Sequence, residues 1–172
     1  LVAFDQIMSV DPHWFSTMFG GFIFMSGVYL AMAWGGIGVA FLREMSSLFR
    51  AKIERRTLHD LGKMLFGFGI FWAYLFWSHY LPIWYGNMAE ETGWILLRLR
   101  NEPWHSVSWM VLGACFFGPF AFGISRDLKQ VPTFLAITGM IVACGIWVQQ
   151  YILFAASLYP HQIPIGLVDV LI

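Results

Sequence analysis

Charge is what this sequence has least of: Asp, Glu, Lys and Arg make up 12% of its 172 residues, where soluble domains carry about 25%. With 59% hydrophobic residues, such a chain excludes a fold whose main solvent is water. Acids and bases balance at ten each, so net charge draws no polyanion and no nucleic-acid partner is expected. Cysteine is nearly absent as well. Cys115 and Cys144 each stand alone in an apolar run, with no second Cys or His at ligand spacing, and are expected as unpaired thiols packed like small hydrophobes. There is no Cys-x-x-Cys-His for covalent haem, no phosphate loop, no nucleophile-triad spacing and no internal repeat. The opening residues lack the charged region and long apolar run of a signal peptide.

What is present is a set of four long apolar runs, at about 12–42, 61–85, 107–124 and 132–159, each long enough to cross a bilayer as a helix. The expected fold class is therefore all-α: a polytopic transmembrane helix bundle forming a single domain over residues 1–172. Residues 1–9 read as the end of a preceding membrane helix and Ile163–Ile172 as the start of a following one, so four complete spans stand between two stubs of a longer protein. Asp11 is placed to cap the first span with Pro12 at its first helical position, and Asp60 to cap the second. Gly27, Ala31 and Gly35 recur every four residues, a stripe that allows close helix approach in lipid. Pro82 deprives the Ser78 carbonyl of its helical donor and predicts a local break beside His79.

Basic residues gather in alternate connections: Arg43, Arg50, Lys52, Arg55 and Arg56 in the first, Arg126 and Lys129 in the third. By the positive-inside rule, loops 43–60 and 125–130 are cytoplasmic and loop 86–106 lies outside, in a multi-pass membrane protein. Within residues 88–100, Glu90 and Glu91 precede an apolar centre and Arg98 and Arg100 follow it. That order suits a helix dipole, and the segment, too short to span, predicts a helix lying in the outer interface.

No Asp, Glu, Lys or Arg interrupts the centre of any span, which opposes a self-contained charge-relay pump. Polar chemistry concentrates instead near the outer side. At about 1.5 Å per residue, His79 stands roughly 28 Å from Asp60, and Gln149 and Gln150 roughly 26 Å from Pro132. A quinol site needs an aromatic slot together with groups that accept protons. Candidates for quinol contact or outer proton handling are His79, Tyr80, Tyr85, Glu90, Glu91, Asp11 and His13. His59, Asp60 and Lys63 form a candidate cytoplasmic entrance to a proton path, to which Gln149 and Gln150 could belong; interhelical hydrogen bonding is the simpler role for the two glutamines. Bis-His haem ligation needs paired histidines inside facing helices, and His79 alone lies even partly inside. No metal site is expected.

Residues 4–17, Phe4-Asp5-Gln6-Ile7-Met8-Ser9-Val10-Asp11-Pro12-His13-Trp14-Phe15-Ser16-Thr17, resemble a characteristic stretch of one membrane-protein family. So do His59-Asp60-Leu61-Gly62-Lys63-Met64-Leu65-Phe66, Phe71-Trp72-Ala73-Tyr74, and Ile83-Trp84-Tyr85-Gly86-Asn87 through Glu90-Glu91-Thr92. The chain is similar to the NrfD-like, quinone-associated membrane subunits of bacterial alternative complex III, and nearer to the second of that complex's two paralogous subunits. The resemblance implies part of a subunit of about ten helices in a quinol:electron-acceptor oxidoreductase (a quinol:cytochrome c oxidoreductase). Quinone or quinol is the implied ligand. Haem c and iron–sulfur clusters would reside in partner cytochrome c and iron–sulfur subunits, alongside a paralogous NrfD-like subunit and lipid, with no cofactor bound by this chain alone and no catalysis by it in isolation. Two other readings fit the residues: part of a secondary transporter, suggested by the glycine-rich first span and proline-bearing second, and a purely structural membrane subunit.

Overall fold

In the computed structural model, which describes residues 3–11 and 14–163 apart from the Glu90 side chain, every α, π or 3-10 element is helical and no strand occurs among the described residues. In chain order the α-helices are α1 (Phe19–Met45), α2 (Ser47–Lys52), α3 (Arg55–Gly86), α4 (Ala89–Leu99), α5 (Trp104–Leu112), α6 (Gly118–Ile124) and α7 (Pro132–Leu158). A π-helical turn, Gly113–Phe117, joins α5 to α6. Helices α1, α3 and α7 and the composite Trp104–Ile124 are each long and apolar enough to cross a membrane. The chain thus has a multi-pass architecture.

The four spans form a ring that is tighter at one end. Helix α1 packs against both α3 and α7. The third span leans across the gap between them: its second half, α6, packs on α3, while its first half, α5, packs on α7 and α4. The ring therefore closes at the end bearing the basic loops and opens at the end bearing α4.

The close face of α1 is Phe22, Ser26, Tyr29, Ala33, Gly36 and Ala40, all buried at alternating spacings of four and three. A Cβ on Gly139 of α7 would lie 2.8 Å from the Ala33 carbonyl oxygen, so glycine is what permits this approach. The stripe expected to play that part does not: nothing lies within 4 Å of a Cβ placed on Gly27 or Gly35. That stripe is offset by about one residue from the packed face, where the larger Phe22 and Tyr29 fill the interior.

Both expected acidic caps are also corrected. Helix α1 begins at Phe19, after Met18, with no side-chain cap; the segment before it is non-helical and sends Trp14 into the core. Helix α3 begins at Arg55, after Glu54, because the polar residues 55–60 continue the helix beyond the apolar run. Asp60 instead pairs with Lys63 at 2.7 Å. Nor does α3 break beside His79. Pro82 lies inside a helix that continues to Gly86, where Asn87, at φ 46°, turns left-handed and donates its N–H to the Ile83 carbonyl at 3.0 Å. One missing bond near the end of a 32-residue helix is tolerated, and the broken span that suggested a transporter is absent.

Among the described residues at the start, Ala3–Ile7 is a π-helical turn and Met8–Val10 a 3-10 turn. Residues 164–172, most of the expected following helix, lie outside the described residues.

Candidate functional site

The open end of the ring holds a cleft whose empty space, counted out to its mouth, is about 700 Å³. Phe19 and Phe22 come from α1, Trp72, Phe76, His79 and Tyr80 from α3, Trp94, Ile95, Arg98 and Leu99 from α4. Ser108, Val111 and Leu112 of α5 and Gln149, Ile152 and Leu153 of α7 complete the wall. The lining is apolar and aromatic with a few polar groups, the composition of a small-molecule site.

His79 is 8% exposed. Its Nδ1 lies 2.7 Å from the Leu75 carbonyl oxygen one turn back. A carbonyl only accepts, so Nδ1 carries the hydrogen, and in the neutral ring Nε2 presents a lone pair. Nε2 is buried and without a hydrogen-bond partner. Phe22 meets the imidazole edge to face at 5.2 Å, which holds the ring's plane. His105 differs: its Nδ1 is 3.2 Å from Glu102 and its Nε2 accepts from Trp109 Nε1 at 2.9 Å.

Beneath His79, three spans are tied by a closed triangle of hydrogen bonds. Trp72 Nε1 donates to Gln149 Oε1 at 2.9 Å and to Ser26 Oγ at 3.1 Å, and Gln149 Nε2 donates to Ser26 Oγ at 3.1 Å. Ser26 passes its own hydrogen to the Phe22 carbonyl at 2.9 Å. Gln149 is thus an interhelical clasp that also lines the cleft.

Arg98 is the residue that sequence reasoning missed. Helix α4, the short helix expected within residues 88–100, packs against α3, α5 and α7 and buries Ile95 and Arg98. Nη1 of Arg98 donates to the Trp94 carbonyl at 3.0 Å, and Nη2 to the Leu153 carbonyl at 3.1 Å and Ser157 Oγ at 2.7 Å. Its guanidinium carbon sits 3.9 Å from the Trp94 ring centre, and Trp14 stacks on that same indole at 3.9 Å and 5°. Burial pushes Arg98 down to about 9, opposed by the charge of Asp11, so the group remains a cation at neutral pH. A signal was available: Trp94 and Arg98 are four apart and share a helix face.

Of the other candidates, Tyr80 lines the cleft, whereas Tyr85 is 83% exposed and Glu91 is outside the lining. Asp11 acts on Arg98 through its charge only, with no ion pair within 4 Å between them. His13 and the Glu90 side chain lie outside the described residues. At the basic-loop end, Asp60 and Lys63 meet, and His59 is partly buried with Nδ1 unpartnered. A smaller cleft there is lined by Gly62, Phe66, Lys129 and Thr138 among others, and not by His59, Asp60 or Lys63. Gln150 is half-buried on α7. Among the described residues no three His, Cys, Asp or Glu side chains converge as metal ligands, and both cysteines are free thiols. No protein-family model matches the chain, and no curated protein sequence matches it.

Proposed function

We propose that this chain is a membrane subunit of a quinol-oxidising electron-transfer complex of the alternative complex III type, and that the cleft at the α4 end receives the quinol headgroup. The observation that carries the proposal is His79: a buried imidazole on an aromatic wall, with Nδ1 committed and Nε2 left as an acceptor. A quinol hydroxyl is the complementary donor. Oxidation to quinone releases two protons and two electrons. Nε2 takes one proton as it leaves and the second goes to water at the mouth of the cleft, while iron–sulfur and haem c groups held by partner subunits would accept the two electrons. The chain contributes the slot, the proton acceptor and the scaffold, and the redox metals belong to its partners. In this proposal the α4 end faces outward from a bacterial inner membrane and the basic loops face the cytoplasm, in keeping with the positive-inside rule.

The test is His79→Ala and His79→Gln in the assembled complex, assayed for quinol oxidation and proton release. Loss of a positioned proton acceptor lowers turnover by about 10²-fold or more. Unchanged turnover in both variants refutes the site. Purification of the full-length chain without any haem c or iron–sulfur absorption refutes the assignment to the complex.

A further inference from the structure

The cleft has a second polar group with an atom to spare. Arg98 is 4% exposed, and both of its Nη atoms are engaged with neutral partners on α4 and α7. Its Nε is buried without a hydrogen-bond partner. The two Nη groups and the Trp94 face fix the guanidinium plane, so the Nε–H is held in one direction before any ligand arrives. A buried cation whose attachments are all neutral is costly to keep, and it favours an oxygen that is electron-rich or bears negative charge.

The two unpaired atoms have opposite character. His79 Nε2 accepts, while Arg98 Nε–H only donates. Neither end of the pair can substitute for the other. A ligand that satisfies both must offer a hydrogen at one position and a lone pair at another, carried on a flat apolar frame that suits the aromatic wall.

We infer that Arg98 determines the cleft's specificity, holding through its Nε–H the ring oxygen that is not given to His79. This rests on the quinol reading of the cleft and deepens it: the two oxygens of a dihydroxyarene are treated differently, one as hydrogen donor and the other as acceptor. No bond is made or broken in this binding step.

Three arenes with one common tail separate these roles: a 1,4-dihydroxyarene, its 4-methoxyphenol counterpart and the simple phenol. The methoxyphenol keeps one hydroxyl and one acceptor oxygen, and the phenol lacks the second oxygen. In competition binding to the full-length chain in its native assembly, methoxyphenol should bind within about 3-fold of the dihydroxyarene, and phenol about 10-fold or more weaker, as for loss of a hydrogen bond to a charged group. In Arg98→Lys, which keeps the charge and loses the planar fork, the gap between methoxyphenol and phenol should shrink to about 2-fold or less. Equal binding of phenol and methoxyphenol to the unmodified protein overturns the inference, and so does a gap that persists undiminished in Arg98→Lys. The comparison in the unmodified protein stands even if the variant does not assemble. Binding of all three arenes that is indifferent to His79→Ala, or no binding of any, refutes the quinol reading itself.

Discussion

Tyr29→Phe removes one oxygen atom, and its effect should depend on a residue 90 positions away. The Tyr29 hydroxyl donates to the Cys115 carbonyl at 3.0 Å in the π-helical turn of the third span. Within an α-helix that carbonyl would accept from residue 119, which is a proline without an N–H. Tyr29 therefore supplies a partner in place of the α-helical donor that Pro119 lacks. A buried carbonyl left unpaired costs about 1–3 kcal/mol, while interhelical bonds in membranes average about 0.6 with a maximum near 1.7. Lack of an N–H at residue 119 puts this one toward the top, at about 1.5 kcal/mol. The ring stays in place, so little packing is lost. The assay is unfolding of the full-length chain in mixed micelles, repeated with Pro119→Ala as background. Restoring an N–H at residue 119 should reduce the Tyr29→Phe cost to about 0.5 kcal/mol or less. An equal cost in both backgrounds, or none in the first, refutes this account of the turn.

The same unfolding assay orders two substitutions in the hydrogen-bond triangle. Gln149→Leu leaves Trp72 and Ser26 bonded to each other and should cost about 1 kcal/mol, whereas Ser26→Ala strands the buried Gln149 Nε2 and should cost more; the reverse order contradicts the triangle. Gly139→Leu forces a side chain against the Ala33 carbonyl and should destabilise by about 3 kcal/mol, while Gly27→Leu, with open space around it, should be close to neutral in the same micelles. Asp60→Asn should leave the unfolding midpoint unchanged, since its pairing with Lys63 is exposed and surface ion pairs contribute little; a marked shift would mean that the carboxylate is engaged in the full-length protein.

The number and course of the spans were legible because hydropathy reports directly on the solvent a helix faces. Helix ends were less so. Trp14 lies ahead of α1, buried against Trp94 and Phe19, a contact across the fold that no local pattern discloses. The start of α3 was hidden for another reason: residues 55–60, apart from the buried Leu58, are polar yet helix-compatible, so the apolar run marks the membrane depth and not the helix. His79 and Gln149 could be singled out because a polar residue in an apolar run is conspicuous. Arg98 closes the apolar run 94–97 and looks like a surface anchor unless its four-residue spacing from Trp94 is weighed. Its burial depends on Leu153 and Ser157, more than 50 residues later in the chain.

The unequal closure of the ring has an electrical consequence. Below Ser26, the inward face of α1 runs through Tyr29, Ala33, Gly36 and Ala40, about 20 Å of helix that carries no Asp, Glu, Lys or Arg. Such a stretch is a dielectric barrier: an anion or cation set down in the cleft would lose hydration on entering it. Under the proposed function, charge arising at His79 would therefore be turned back toward the side from which the cleft opens. Directionality would reside in the insulation of one half of the bundle, with no moving gate required to enforce it.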